Sequence, residues 1–239
     1  MLRKMTAAAA AALVLGMAGQ AGATVWTVTF KGTVLGGSRD DQNLFNHPGQ
    51  SLDGLPFELV FTTTLPSSHA VLVDDPVNEY SMVSSNGAPG PTVADLTIDG
   101  AKVHLGGAKS TQVDQVHAPD QDFDAFDFSV SNGSFDGVTA VSNGIGVSAY
   151  GDGFLTSYQW QSLWGVVPLA GQTVFANFSF DTFDTRCGCG PITSGNLHID
   201  SVFGASVPEP DVWALMLVGM AGVGTMLRRR RAAAHLAAA

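Results

Sequence analysis

The sequence predicts an all-β fold, a single antiparallel β-sandwich of jelly-roll type, flanked by an N-terminal signal peptide and a C-terminal transmembrane helix. Three observations lead there. Glycine supplies 28 of 239 residues while charged residues make up only 13%, a balance suited to short strands joined by tight turns. Several runs alternate apolar and polar residues, the period of a strand with one buried face. Between residues 24 and 207 no window sustains a helical period with caps, whereas both ends carry uniformly apolar stretches beside basic residues.

The first 23 residues read as a secretory signal peptide. Arg3 and Lys4 form the positive region, Ala7 to Gly19 the apolar stretch, and Ala21-Gly22-Ala23 a small-x-small site cut after Ala23. A buried amphipathic helix would need a polar face, which Ala7 to Leu15 do not offer. Such a leader implies the Sec translocon and signal peptidase as partners.

Residues 24–205 form the predicted sandwich. Trp26, Val28 and Phe30 alternate with Thr27, Thr29 and Lys31; Phe57, Leu59 and Phe61 repeat the pattern; Val174, Ala176, Phe178 and Phe180 alternate with Thr173, Phe175, Asn177 and Ser179. Asp99-Gly100 between two apolar runs is a hairpin signal. Asn132-Gly133, Asp136-Gly137, Asn143-Gly144 and Asp152-Gly153 mark further turns, and Ser84 to Pro91 reads as a long surface loop. Some ten short strands in one domain follow from this spacing.

Charge narrows the partners. From Thr24 to Val207, nineteen acidic side chains oppose five basic ones (Lys31, Arg39, Lys102, Lys109 and Arg186), a formal charge of −14. Nucleic acid and anionic lipid surfaces repel such a domain, so no nucleic-acid role is expected.

The tail, residues 206–231, has three parts. Val212 to Leu227 is sixteen uncharged residues, roughly 24 Å as a helix against a hydrocarbon core of about 30 Å. Local thinning and snorkelling arginines close that gap. Arg228, Arg229, Arg230 and Arg231 stop the span and keep residues 232–239 cytoplasmic, leaving the domain outside. Pro208 and Pro210 hold Glu209 in an extended segment at the outer face.

Val207-Pro208-Glu209-Pro210, Trp213-Ala214-Leu215-Met216, the glycines at 219, 222 and 224 and the arginine tract together resemble the PEP-CTERM sorting signal of Gram-negative bacteria. The resemblance covers about the last thirty residues and implies recognition and processing by exosortase in an organism that makes exopolysaccharide. Gly32-Thr33-Val34, Asp41, Leu44-Phe45, Gly49, Leu52 and Gly54 also resemble the start of many PEP-CTERM ectodomains. That second likeness carries no activity.

Site chemistry within the domain is sparse. Asp120, Asp122 and Asp124 have the alternate spacing of a Ca²⁺ loop, yet Ala125 stands where the helix-loop-helix motif needs glycine and Ser131 where it needs glutamate. The competing reading is the start of a strand, with the aspartates facing water while Phe126, Phe128 and Val130 face the core. Cys187-Gly188-Cys189 lies in a turn, Thr185 to Ser194, where an exported chain can form a disulfide, either a local clasp or a redox-active pair. With His198 as the one histidine nearby, zinc lacks ligands. Trp160 and Trp164, with Tyr150 and Tyr158, are candidate sugar-stacking aromatics. His47, His69, His104 and His117 are scattered. There is no G-x-S-x-G, H-E-x-x-H or P-loop, and Gly144-Ile145-Gly146 opens no helix.

The expected function is therefore an exported surface or extracellular-matrix protein with a non-enzymatic, structural or polysaccharide-associated ectodomain and no required cofactor. It would sit in the inner membrane before processing and at the cell surface or in the matrix afterwards. The alternatives are an anchored glycan hydrolase and an unprocessed single-pass membrane protein.

Overall fold

A computed structural model describes residues 24–65, 71–76, 80–86, 90–106, 110–118, 123–152, 154–155, 165–167 and 172–207. Thirteen strands account for most of them: β1 Thr24–Val34, β2 Arg39–Asp40, β3 Pro56–Leu65, β4 Val71–Asp75, β5 Tyr80–Asn86, β6 Thr92–Ile98, β7 Ala101–Leu105, β8 Ser110–Ala118, β9 Phe123–Phe135, β10 Thr139–Gly151, β11 Gly165–Val167, β12 Thr173–Asp184 and β13 Ile192–Val207. No helix occurs among the described residues. The protein is all-β, and Val25–Val207 form one compact unit.

The strands make one continuous antiparallel sheet in the order β4-β5-β8-β9-β10-β12-β13-β1-β3-β6-β7, with β2 and β11 on the free edges of β13. Strand β13 is the joint. Its first residues pair with β12 (Asp181↔Ile192 to Asn177↔Asn196), and its remainder pairs with β1 (Val34↔Leu197 to Val25↔Val207). Along the sheet, β1 and β9 are separated by three strands, yet the Phe30 ring lies 5.9 Å from Phe126 and 5.6 Å from Phe128. Phe61 of β3 reaches Phe128 at 5.5 Å. Only a curled sheet brings these rings together, and its inner face is the core.

Alternation explains which residues fill it. Phe57, Leu59 and Phe61 point inward on β3, Leu96 and Ile98 on β6, Ile145, Val147 and Ala149 on β10, and Ala176, Phe178 and Phe180 on β12. Each fully buried large side chain contributes about 1.5–3 kcal/mol. Asp99-Gly100 closes the β6–β7 hairpin as its sequence predicts, with φ of 47° and 82° at the two loop residues.

Three local expectations need correction. Asn132-Gly133 and Asn143-Gly144 are strand residues, since β10 pairs without interruption with β9 on one side and β12 on the other. That continuous ladder outweighs a local turn preference. The predicted long loop is also shorter, because Ser84 to Asn86 belong to β5 and buried Pro91 leads straight into β6. Finally, Asp124 does not face water. It is 1% exposed and shares the inward face of β9 with Phe126, Phe128 and Val130, where its carboxylate accepts the Leu155 N–H at 2.7 Å.

Another buried carboxylate organises the segment between β2 and β3. Asp40 is fully buried and accepts N–H bonds from Leu44 (2.7 Å), Phe45 (2.9 Å) and His47 (3.1 Å), while the Thr193 hydroxyl of β13 donates to it at 3.2 Å. The loop so formed drives Phe45 into the core beside Phe178, ring centroids 5.7 Å apart.

Candidate functional site

The outer face of β9, β10 and β12 differs from an ordinary solvated sheet surface. Outward positions on β10 are Gly144, Gly146, Ser148 and Tyr150, alternating with the buried Ile145, Val147 and Ala149. Register sets Asp127 of β9 and Phe175 of β12 on either side of Ser148, and Ser129 and Asn177 on either side of Gly146. The central strand is therefore low and its neighbours carry larger side chains, which makes a shallow trough along β10.

Packing does not impose the low floor. A Cβ on Gly146 would meet nothing nearer than the Phe128 carbonyl at 3.7 Å, and one on Gly144 would meet the Ser131 Cβ at 3.9 Å, both ordinary contacts. Elsewhere glycine is obligatory: a Cβ on Gly32 would run into the His198 carbonyl, and one on Gly195 into the Ser38 side chain. The two trough glycines keep space open rather than letting backbone approach backbone.

Aromatic rings close one end. Tyr150 and Phe175 stand 39% and 56% exposed, their centroids 5.8 Å apart and their planes inclined by 34°. Two large rings left in water on the face opposite the core are available for a ligand rather than for packing. Polar groups line the rest. The Ser148 hydroxyl donates to Asp127 at 2.7 Å, the Ser179 hydroxyl donates to Asp181 at 2.8 Å, and Asn177 is exposed.

No family model, curated protein or solved structure matches the chain. The trough is read from its own chemistry: tilted aromatic faces beside fixed hydroxyl, amide and carboxylate groups suit a flat ligand with apolar C–H faces and hydroxyl edges.

Electrostatics adds a selection. Each described Lys and Arg side chain is in an ion pair: Lys31 with Glu58 (2.7 Å), Arg39 with Asp41 (3.0 Å), Lys102 with Asp95 (2.9 Å) and Arg186 with Asp184 (2.6 Å). Burial alone would raise the Asp95 carboxyl, but hydrogen bonds from Lys102 and His104 outweigh it and hold the group below the usual aspartate range.

Of the residues singled out in the sequence, Tyr150 belongs to the trough. Trp160, Trp164, Tyr158, Asp120, Asp122, Ala21 and Ala23, and everything from Pro208 to the arginines at 228–231, lie outside the described residues. Among the described residues no group of three or more His, Cys, Asp or Glu is placed to hold a metal ion. Cys187 and Cys189 are joined as a disulfide, and His47 and His104 contact Asp99 (3.1 Å) and Asp95 (2.6 Å). The floor glycines Gly144 and Gly146 were visible in the sequence only as a glycine pair that opens no helix beside an Asn-Gly turn signal. The floor itself emerges only when register places Gly144 and Gly146 between Asp127, Ser129, Phe175 and Asn177.

Proposed function

We propose that the chain is an exported bacterial surface or extracellular-matrix protein, sorted and processed by exosortase through the PEP-CTERM-like tail at 206–231. Its ectodomain, a jelly-roll-like sandwich in which the curled sheet faces itself across the phenylalanine core, is a non-enzymatic module that associates with polysaccharide. The observation that carries this reading is the trough: Tyr150 and Phe175 exposed at the end of a glycine-floored strand. Delivery rests on the tail's Pro-Glu-Pro motif, apolar span and arginine tract. The reading takes the helix 212–227 as the anchor before processing and the cell surface or matrix as the destination.

The glycans bound are neutral. With a formal charge of −14 from Thr24 to Val207 and the described cations already paired, uronate or sulfate polymers are disfavoured. A glycan array probed with the purified chain tests the proposal. Binding to neutral polysaccharide, lost in Tyr150→Ala and Phe175→Ala while the melting temperature holds, is the expected result; no binding to any glycan, or binding indifferent to both substitutions, removes it.

A second reading has one observation in its favour. Asp127 of β9 is the register partner of Asp114 of β8, and a glycan hydrolase needs a pair of neighbouring carboxyl residues. Release of reducing ends from any array-positive polysaccharide, abolished in Asp127→Asn, would shift the assignment to that alternative. Intact mass of the chain recovered from cells decides the remaining one, since an unprocessed membrane protein keeps Trp213 to Arg231.

A further inference from the structure

The turn between β12 and β13 presents chemistry that the trough does not use. Residues 185–190 are exposed, and within them Cys187 and Cys189 form a disulfide around a single residue, Gly188. Hydrogen bonds hold the turn alongside that bond. The Asp184 carbonyl accepts N–H bonds from Cys187 (3.3 Å) and Gly188 (2.8 Å), and the Asp184 N–H donates to the Cys189 carbonyl at 2.9 Å. Arg186 donates to the Asp184 carboxylate through both backbone and guanidinium, and the Thr185 N–H and hydroxyl both donate to the Val138 carbonyl at 2.8 Å. Gly188 takes φ of +63°, where it has no Cβ to resist.

A cross-link enclosing one residue removes little chain entropy from the unfolded state, so it adds little stability. Stability does not account for it. Exposed disulfides in small rings are the ones that thiols reduce readily. The neighbouring β9–β10 tip, tied to the turn through Val138, exposes Phe135 (64%) and Val138 (38%), apolar footholds for an incompletely folded polypeptide.

We propose that Cys187–Cys189 is a thiol–disulfide exchange site that takes two electrons from the cysteine pair of a polypeptide dithiol. A substrate thiolate attacks one sulfur, the Cys187–Cys189 bond breaks, and the other sulfur leaves as thiolate and takes up a proton. The second substrate thiolate then attacks the mixed disulfide. The substrate departs as a disulfide, and the turn is left as a dithiol carrying the two electrons and two protons.

Mixing the oxidised full chain with a reduced two-cysteine peptide, quenching with a maleimide and reading both partners by mass spectrometry tests this. The expected result is stoichiometric peptide oxidation, faster than by glutathione disulfide at equal concentration, with loss of exchange in Cys189→Ser and an unchanged melting temperature in that variant. A disulfide that stays intact under excess peptide, a rate no greater than that of glutathione disulfide, or a large drop in melting temperature for Cys189→Ser, which would mark a structural clasp, each overturns the proposal. The outcome is independent of glycan binding, because Tyr150 and Phe175 take no part in it.

Discussion

Asp40 is the most consequential single residue of the described fold. Three backbone N–H groups and one hydroxyl converge on its buried carboxylate, and removing it strands donors inside the protein at about 1–3 kcal/mol each. Asp40→Ala should lower unfolding free energy by at least about 3 kcal/mol, measured by urea denaturation; a loss under about 1 kcal/mol would contradict the role assigned to it. Solvent-facing carboxylates act differently. Asp53 is held below its ordinary range by the Ser38 N–H and the Ser51 hydroxyl, Asp136 by the N–H groups of Thr139 and Val138, and Asp184 by Arg186. Depressed carboxyls stabilise the folded state above their unfolded values and lose that effect as pH falls through the folded ones. The melting temperature should be flat from pH 7 to about 5 and fall steadily below it, and Asp53→Asn should flatten part of that fall. The sequence did not single out Asp40, because which of two adjacent aspartates turns inward depends on β2 pairing with β13, whose Thr193 lies 153 residues further along the chain. For Asp124 the information was present: counting by two from Phe126 puts it on the inner face.

At the scale of elements, strand faces were legible and turns only partly so. Alternation located the buried sets on β1, β3 and β12 because one face of each meets the core, a local pattern with a local cause, whereas β10 was masked by its Asn143-Gly144 turn signal. Asn-Gly pairs misled because a turn preference of this kind is weak beside a ladder paired on both sides, and Gly133 is better explained by a Cβ contact of 3.1 Å with the Val141 carbonyl. The trough depends on cross-strand register, which no single segment encodes. Its glycines support a paired prediction. Gly146→Val should leave stability within about 0.5 kcal/mol of the parent while abolishing glycan binding by filling the floor, as seen in parallel melting and array measurements. Gly32→Ala should do the opposite. Its Cβ would strike the His198 carbonyl at the irregularity in β1–β13 register, costing about 1–3 kcal/mol with binding per folded molecule unchanged. If both substitutions act alike, the distinction between an open floor and a backbone approach fails.

For the whole molecule, the position of the two chain ends in the sheet matters most. Val25 and Val207 are partners in the terminal β1–β13 rung, so the first and last residues of the compact unit share one rung. A cut anywhere in Pro208-Glu209-Pro210 falls beyond the last described strand residue and removes no ladder hydrogen bond among the described residues. A cut after Ala23 would likewise leave β1 whole from Thr24. Truncation after Val207 should therefore melt at the temperature of the full chain. Truncation after Phe203 should not, since it strips the partners of Val25 to Val28 at about 1 kcal/mol for each hydrogen bond lost, or about 2–4 °C per kcal/mol in a domain of this size. The reason lies in how β13 is used: its first residues hold β12 and its last residues hold β1, so its final four residues fasten the N-terminal end of β1. If the tail is the sorting signal proposed, a cut at Glu209 would release an already complete fold. Equal losses from both truncations would mean that the tail is part of the folded unit, and proteolytic sorting at that motif would no longer be compatible with a stable product.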